Sequence, residues 1–175
     1  KRALEEALQR FSSFRSELIA LGERIIKEHD PSQPLVVVTG RPYNLYDERL
    51  NLRLGQNLSK VGIKAIPMDF LDLKDIELND FPSMYWGLGS QILRGAKWIK
   101  AMPFAFGIHL TNFGCGPDSF LEHFYKHIMG DKPYLILELD EHSAVAGVMT
   151  RIEAFKNVVE NSMRSQEYRK EALLL

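Results

Sequence analysis

At 175 residues, 45% hydrophobic and 26% charged, the chain has the size and composition of one globular domain with a sizeable core. A formal net charge of −1 gives no basic excess for nucleic acid or an anionic membrane, and no apolar run approaches the ~18 residues of a bilayer span. One cysteine excludes an internal disulfide framework and fits a reducing, cytoplasmic setting, and no signal-peptide pattern opens the chain.

Residues 1–29 place Leu4, Ala7, Phe11, Phe14, Leu18, Leu21 and Ile25 at three-four spacing, which predicts a long amphipathic helix. Gly22 and the short length weigh against a coiled coil and favour packing on this domain or on a missing neighbour. The chain starts at Lys1 inside that helical pattern, which suggests a piece of something longer. After the break at Asp30–Pro34, the uniformly apolar Leu35–Thr39 reads as a central parallel strand. Gly40–Asn44 is its exit loop. Asp47 then caps a helix burying Leu50, Leu54, Leu58 and Val61, closed by Gly62. Ile63–Ile66 is a short second strand.

Met68–Pro82 is a long connection, and loops of that length are often functional. A helix from Ser83 to Ile99 follows, in which Gly87, Gly89 and Gly95 imply close packing or a nearby ligand. Phe104–Leu110 is the third strand. A helix over 118–129 turns Phe120, Leu121, Phe124 and Ile128 inward, and Tyr134–Leu137 is the fourth strand. Ser143 caps a last helix with Val145, Val148, Ile152, Phe155 and Val159 inward, and residues 164–175 read as a frayed helical tail. The reading is a single α/β lobe: helix 1–29, core 35–163, tail 164–175.

Four strand–helix alternations predict an open parallel sheet with helices on both faces, and right-handed crossovers favour strand order 2-1-3-4. Ligands in such sheets bind where the winding reverses, at the strand C-termini. Here that is the gap between the loops Gly40–Asp47 and Thr111–Asp118. Cys115 lies in the second loop, flanked by Gly114 and Gly116 and followed by Pro117, so it sits ahead of a helix N-terminus that favours its thiolate. The alternative is a buried cysteine in a tight turn.

Arg41, Tyr43 and Asn44 occupy the first loop. Arg41 reads either as a partner for a carboxylate, a phosphate or a negatively charged cluster, or as a solvated side chain before a proline. This loop carries no nucleotide-type glycine pattern. His123 and His127 have the spacing of two metal ligands on one helix, but no Glu lies between them, and solvated histidines fit better. His109 reads as a satisfied strand histidine. Glu138, Asp140, Glu141 and His142 follow strand four as a possible proton-handling or helix-capping loop, to which Arg151 could pair back.

Four segments carry a resemblance: Gly40–Asn44, Tyr85–Gly89, Leu110–Phe120 and Thr150–Phe155. Together they resemble the 2-hydroxyacyl-CoA dehydratase and benzoyl-CoA reductase subunit family, and more closely the related domain attached to activators of those enzymes. The resemblance implies a flavodoxin-like lobe of a larger protein, with Cys115 at the position of a ligand to a 4Fe-4S iron–sulfur cluster and Gly114, Gly116, Arg41, Tyr43 and Asn44 around it. It implies ATP-driven, low-potential electron transfer toward an acyl-CoA dehydratase or CoA thioester. It also implies that a second lobe and an ATPase activator module supply what is missing here. One thiolate is short of the roughly four a cubane cluster takes, and no ATPase phosphate loop is present. Two other readings stay open: a non-catalytic docking scaffold and a CoA or small-ligand module without a cluster.

Overall fold

The computed structural model describes residues 1–172, with side chains described through residue 165. Strands β1 (Leu35–Gly40), β2 (Lys64–Pro67), β3 (Ala105–Asn112) and β4 (Tyr134–Leu139) form one parallel sheet in the order β2-β1-β3-β4. Val37 pairs with Gly107 and Thr39 with His109, so β1 ends at Gly40 beside Leu110 while β3 runs two residues further at the C-terminal rim, to Asn112. Both are buried on both faces, which is why they read as continuous apolar runs.

Period-two alternation divides the core. Val36, Val38, Phe106, Ile108 and Leu110 face α3 (Leu54–Lys60) and α6 (Val145–Ala172). Leu35 and Val37 face the other layer, α4 (Gly87–Ala101) and α5 (Gly116–Met129), against which α1 (Arg2–Lys27) also lays Ile25 and Ile26. The sheet, its order and the long first helix are as the sequence predicts.

Several local expectations are corrected. Pro42–Tyr46, read as loop, is a short helix, α2. The helix expected from Asp47 begins only at Leu54. The Asp47 carboxylate accepts the Arg49 and Leu50 N–H groups and closes a turn instead, leaving Leu50 exposed, and Leu52 and Arg53 take positive φ. The helix expected from Ser83 begins at Gly87. In α5 the buried face is Asp118, Leu121, Tyr125 and Met129, which leaves Phe120 exposed. Val145 is likewise exposed, and Ser143 donates to Asp140 rather than capping α6. That helix runs unbroken through Ala172, so the expected tail continues it as far as described, and residues 173–175 lie outside the described residues.

The long connection is pinned down. Its 3₁₀ turn, Met68–Phe70, runs under α1 at Gly22, whose missing side chain lets the helix touch the Phe70 backbone. Arg94 of α4 donates to the Ile76 carbonyl and Lys97 reaches Glu77 and Asp80. Gly95 and Gly89 in α4 are close-packed, against Thr39 and Leu121, whereas Gly87 faces open space.

Candidate functional site

β1 and β3 lie side by side, but their connections leave on opposite faces: β1 feeds the layer of α3 and β3 the layer of α5. The loops part above the rim, as expected of a topological switch point. Arg41 is the N-cap of α2 on one side, and Cys115 is the N-cap of α5 on the other. Gly114, at φ 73°, makes the left-handed turn that brings the Cys115 N–H onto the Asn112 carbonyl at 3.1 Å. Pro117 fills an early helical position where no N–H is needed, and Gly116 has open space beside it. Cys115 is a free, half-buried thiol at the positive end of a 14-residue helix. Its carbonyl accepts both the N–H and the hydroxyl of Ser119 at 2.9 Å.

The centre of the rim is a buried ion pair. Arg41 Nε and Nη2 both donate to Asp118 Oδ1 at 2.9 Å, and the Thr111 hydroxyl donates to Oδ2 at 2.8 Å. Asp118 is fully buried in the first turn of α5, where the helix dipole favours a carboxylate. Burial opposes the Arg41 charge, but Asp118, with Cys115 and Tyr43 also in electrostatic reach, outweighs it and raises the guanidinium's pKa. Of the partners open to Arg41, the fold thus provides a carboxylate of its own. The pair clamps the loop after β1 to the helix after β3, whose N-cap is Cys115.

Beneath it lies a second polar layer. Thr39 Oγ1 is 3.2 Å from His109 Nδ1 and donates toward Tyr125 Oη at 3.5 Å, while the Tyr125 ring stacks on the imidazole at 5.2 Å. His109 is not fully satisfied: its Nε2, like Asn44 Nδ2, has no partner among the described residues. Burial pushes the His109 pKa from 6.5 down to about 4, with the Asp118 charge opposing. The unfolded chain therefore binds the extra proton first, and stability is lost as pH falls through the window from 6.5 to about 4. The slope from this one group is at most about 1.4 kcal/mol per pH unit. Urea midpoints at pH 7 and pH 5 should differ less in His109→Gln than in the parent; equal differences would show that His109 is not the titrating group.

Tyr43 and Phe113 stand exposed on either side of the cysteine turn. Beyond them an aromatic ledge runs from Trp86 through Phe120 and Phe124 to Phe81, with ring centroids 5.7, 5.1 and 5.0 Å apart.

Residues 1–71 match the family model described as CoA enzyme activase uncharacterised domain (DUF2229). The match runs from α1 to just past the 3₁₀ turn, so it includes Arg41, Tyr43 and Asn44, while Cys115 and everything from α4 onward lie beyond it. It fits the resemblance to dehydratase-activator domains that the sequence motifs carry. No curated protein and no solved structure matches the chain.

A cubane iron–sulfur cluster takes about four thiolate ligands. This chain has one cysteine, and among the described residues no three His, Cys, Asp or Glu side chains stand close enough to share a metal. The residues present do not by themselves fit such a cluster. His123 and His127 are exposed on α5, with His127 edge-on to Phe81. After β4, Asp140 accepts the Ser143 hydroxyl and the His142 N–H, and Glu141 and His142 are exposed. Arg151 donates to the Ile136 carbonyl and makes no ion pair with that acidic loop among the described residues. No described helix is long and apolar enough to cross a membrane.

Asp118, Thr111 and Thr39 are the site residues that sequence reasoning missed. Asp118 and Thr111 had a signal: both sit in the loop opposite Arg41, and a carboxylate one residue after Pro117 falls in a helix's first turn.

Proposed function

We propose that this domain is the cysteine-bearing lobe of a CoA-enzyme activase system. The C-terminal rim of its sheet meets a second body, and Cys115 is one thiolate of an iron–sulfur site whose other ligands that body supplies. The site serves low-potential electron transfer toward an acyl-CoA dehydratase or a similar acceptor. The observation that carries the reading is the position of Cys115: N-cap of α5, half-buried, held at the switch point by the Arg41–Asp118 clamp and bordered by exposed Tyr43 and Phe113. An exposed aromatic rim around a part-covered thiol suits a joint rather than a solvated edge. The activase match over residues 1–71 supports the system.

A docking scaffold without a cluster is the second reading, and the single cysteine is what favours it. One experiment separates the two: anaerobic reconstitution of the full-length protein with iron and sulfide, comparing the parent with Cys115→Ala. Loss of bound iron, acid-labile sulfide and visible absorption in the variant is the expected result. Equal values in both would leave the scaffold standing and remove Cys115 as a ligand.

A further inference from the structure

The sheet ends in two strands with an open side, and the two are not alike. β2 is four residues long and runs from Lys64 to Pro67, a charge and a residue with no N–H to donate, so it offers little to an incoming strand. β4 is six residues, Tyr-Leu-Ile-Leu-Glu-Leu, with one charge and no proline. High β propensity, high hydrophobicity and low charge in so short a window are the features of a segment that pairs with other chains.

Hydrogen-bond direction identifies the groups on the open side. The Leu139 carbonyl accepts the Phe113 N–H, toward β3. Alternation along the strand turns Leu137 and Leu135 the same way and leaves the N–H and C=O of Tyr134, Ile136 and Glu138 facing outward. The Arg151 guanidinium of α6 donates to the middle one of these carbonyls, that of Ile136. It does so although Glu122 and Glu138 line the same trough, an open space of about 720 Å³ between α5 and α6. A second strand has to come within about 4.8 Å of β4. The guanidinium stands in that place, and pairing would strip it of its acceptor and of water.

The strand is complementary to itself. In an antiparallel pair about a two-fold axis at Ile136, Tyr134 lies opposite Glu138, whose carboxylate can accept the phenol, and Ile136 lies opposite Ile136. That central pair would exchange both of its hydrogen bonds through the carbonyl that Arg151 holds.

We infer that Arg151 guards this edge: by occupying the Ile136 carbonyl it keeps β4 from pairing with the β4 of a second copy. The role is separate from the cysteine rim and stands or falls independently of it.

Sedimentation of the protein over a hundredfold range of concentration tests this on four chains: the parent, Arg151→Ala, Arg151→Ala with Glu138→Pro, and Lys126→Ala. The parent should stay monomeric, and Arg151→Ala should associate at least tenfold more tightly. The Glu138 N–H faces the open side, so a proline there spares the β3 ladder and blocks only the edge. The double variant should therefore return to monomer, which association through unfolded chains would not do. Lys126→Ala removes a cation from the same trough without freeing a strand carbonyl and should behave as the parent. An Arg151→Ala protein that stays monomeric overturns the inference. So does association that persists in the double variant, which would place it on another surface. Association of Lys126→Ala equal to that of Arg151→Ala would assign the effect to net charge, and a parent dimer that Glu138→Pro alone dissolves would show the edge already paired; either overturns the inference.

Discussion

Asp118→Ala should destabilise the protein by about 3 kcal/mol, the scale of breaking one partner out of a buried ion pair. The loss has three parts. Arg41, with its side chain only 15% exposed, keeps its charge and loses its counter-ion. The Thr111 hydroxyl loses its acceptor inside the protein. The first turn of α5 loses a carboxylate at its positive end. Because the damage comes from a stranded charge, removing the charge as well should recover part of it: Arg41→Met combined with Asp118→Leu is expected to be more stable than Asp118→Ala alone. Urea unfolding of the parent and the two variants checks this. A cost below about 1 kcal/mol for Asp118→Ala would mean that the pair behaves as a surface bridge and does not hold the rim together.

Gly22→Ala should cost about 3 kcal/mol, at the upper end of what overpacking produces. A Cβ at this position would fall on the Phe70 carbonyl, 2.7 Å from its carbon and 2.8 Å from Phe70 Cβ. The obstacle is mostly backbone in a 3₁₀ turn, not the far end of a side chain that could swing away. To admit one methyl group, α1 must lift, and Ile25 and Ile26 then leave the α4–α5 core. The helix propensity gain of alanine over glycine, about 1 kcal/mol, works in the opposite direction and is too small to offset this. Limited proteolysis should cut α1 faster in the variant, and the urea midpoint should fall. An unchanged midpoint would show that α1 slides along its axis instead of detaching.

The two substitutions probe features of different legibility. Gly22 is visible in the sequence as an interruption in a helical stripe, yet nothing along the chain says that Phe70, 48 residues later, passes beneath it. Cys115 is legible because three local signals agree: an apolar strand before it, glycines beside it, and a proline just inside the helix that follows. The Arg41–Asp118 clamp joins residues 77 apart and needs the register of β1 against β3 before it exists. One position of the α5 face, Phe120, departs from expectation for the same reason, while Leu121, Phe124 and Ile128 pack inward. Phe120 and Phe124 are the more hydrophobic choice, but the helix is rotated so that Asp118 reaches Arg41 and Tyr125 lies against Gly107, leaving Phe120 on the surface.

Apolar runs, their period and the turn residues between them dictate the parallel four-stranded sheet, its 2-1-3-4 order and the rim on which the thiol emerges, because burial of a two-faced strand and right-handed crossover leave few alternatives. Helix starts, helix rotation and the partner of every buried charge came only with the folded coordinates. These are fixed by small differences between competing local hydrogen bonds, such as Asp47 closing a turn in place of a helix, and by contacts between residues far apart along the chain.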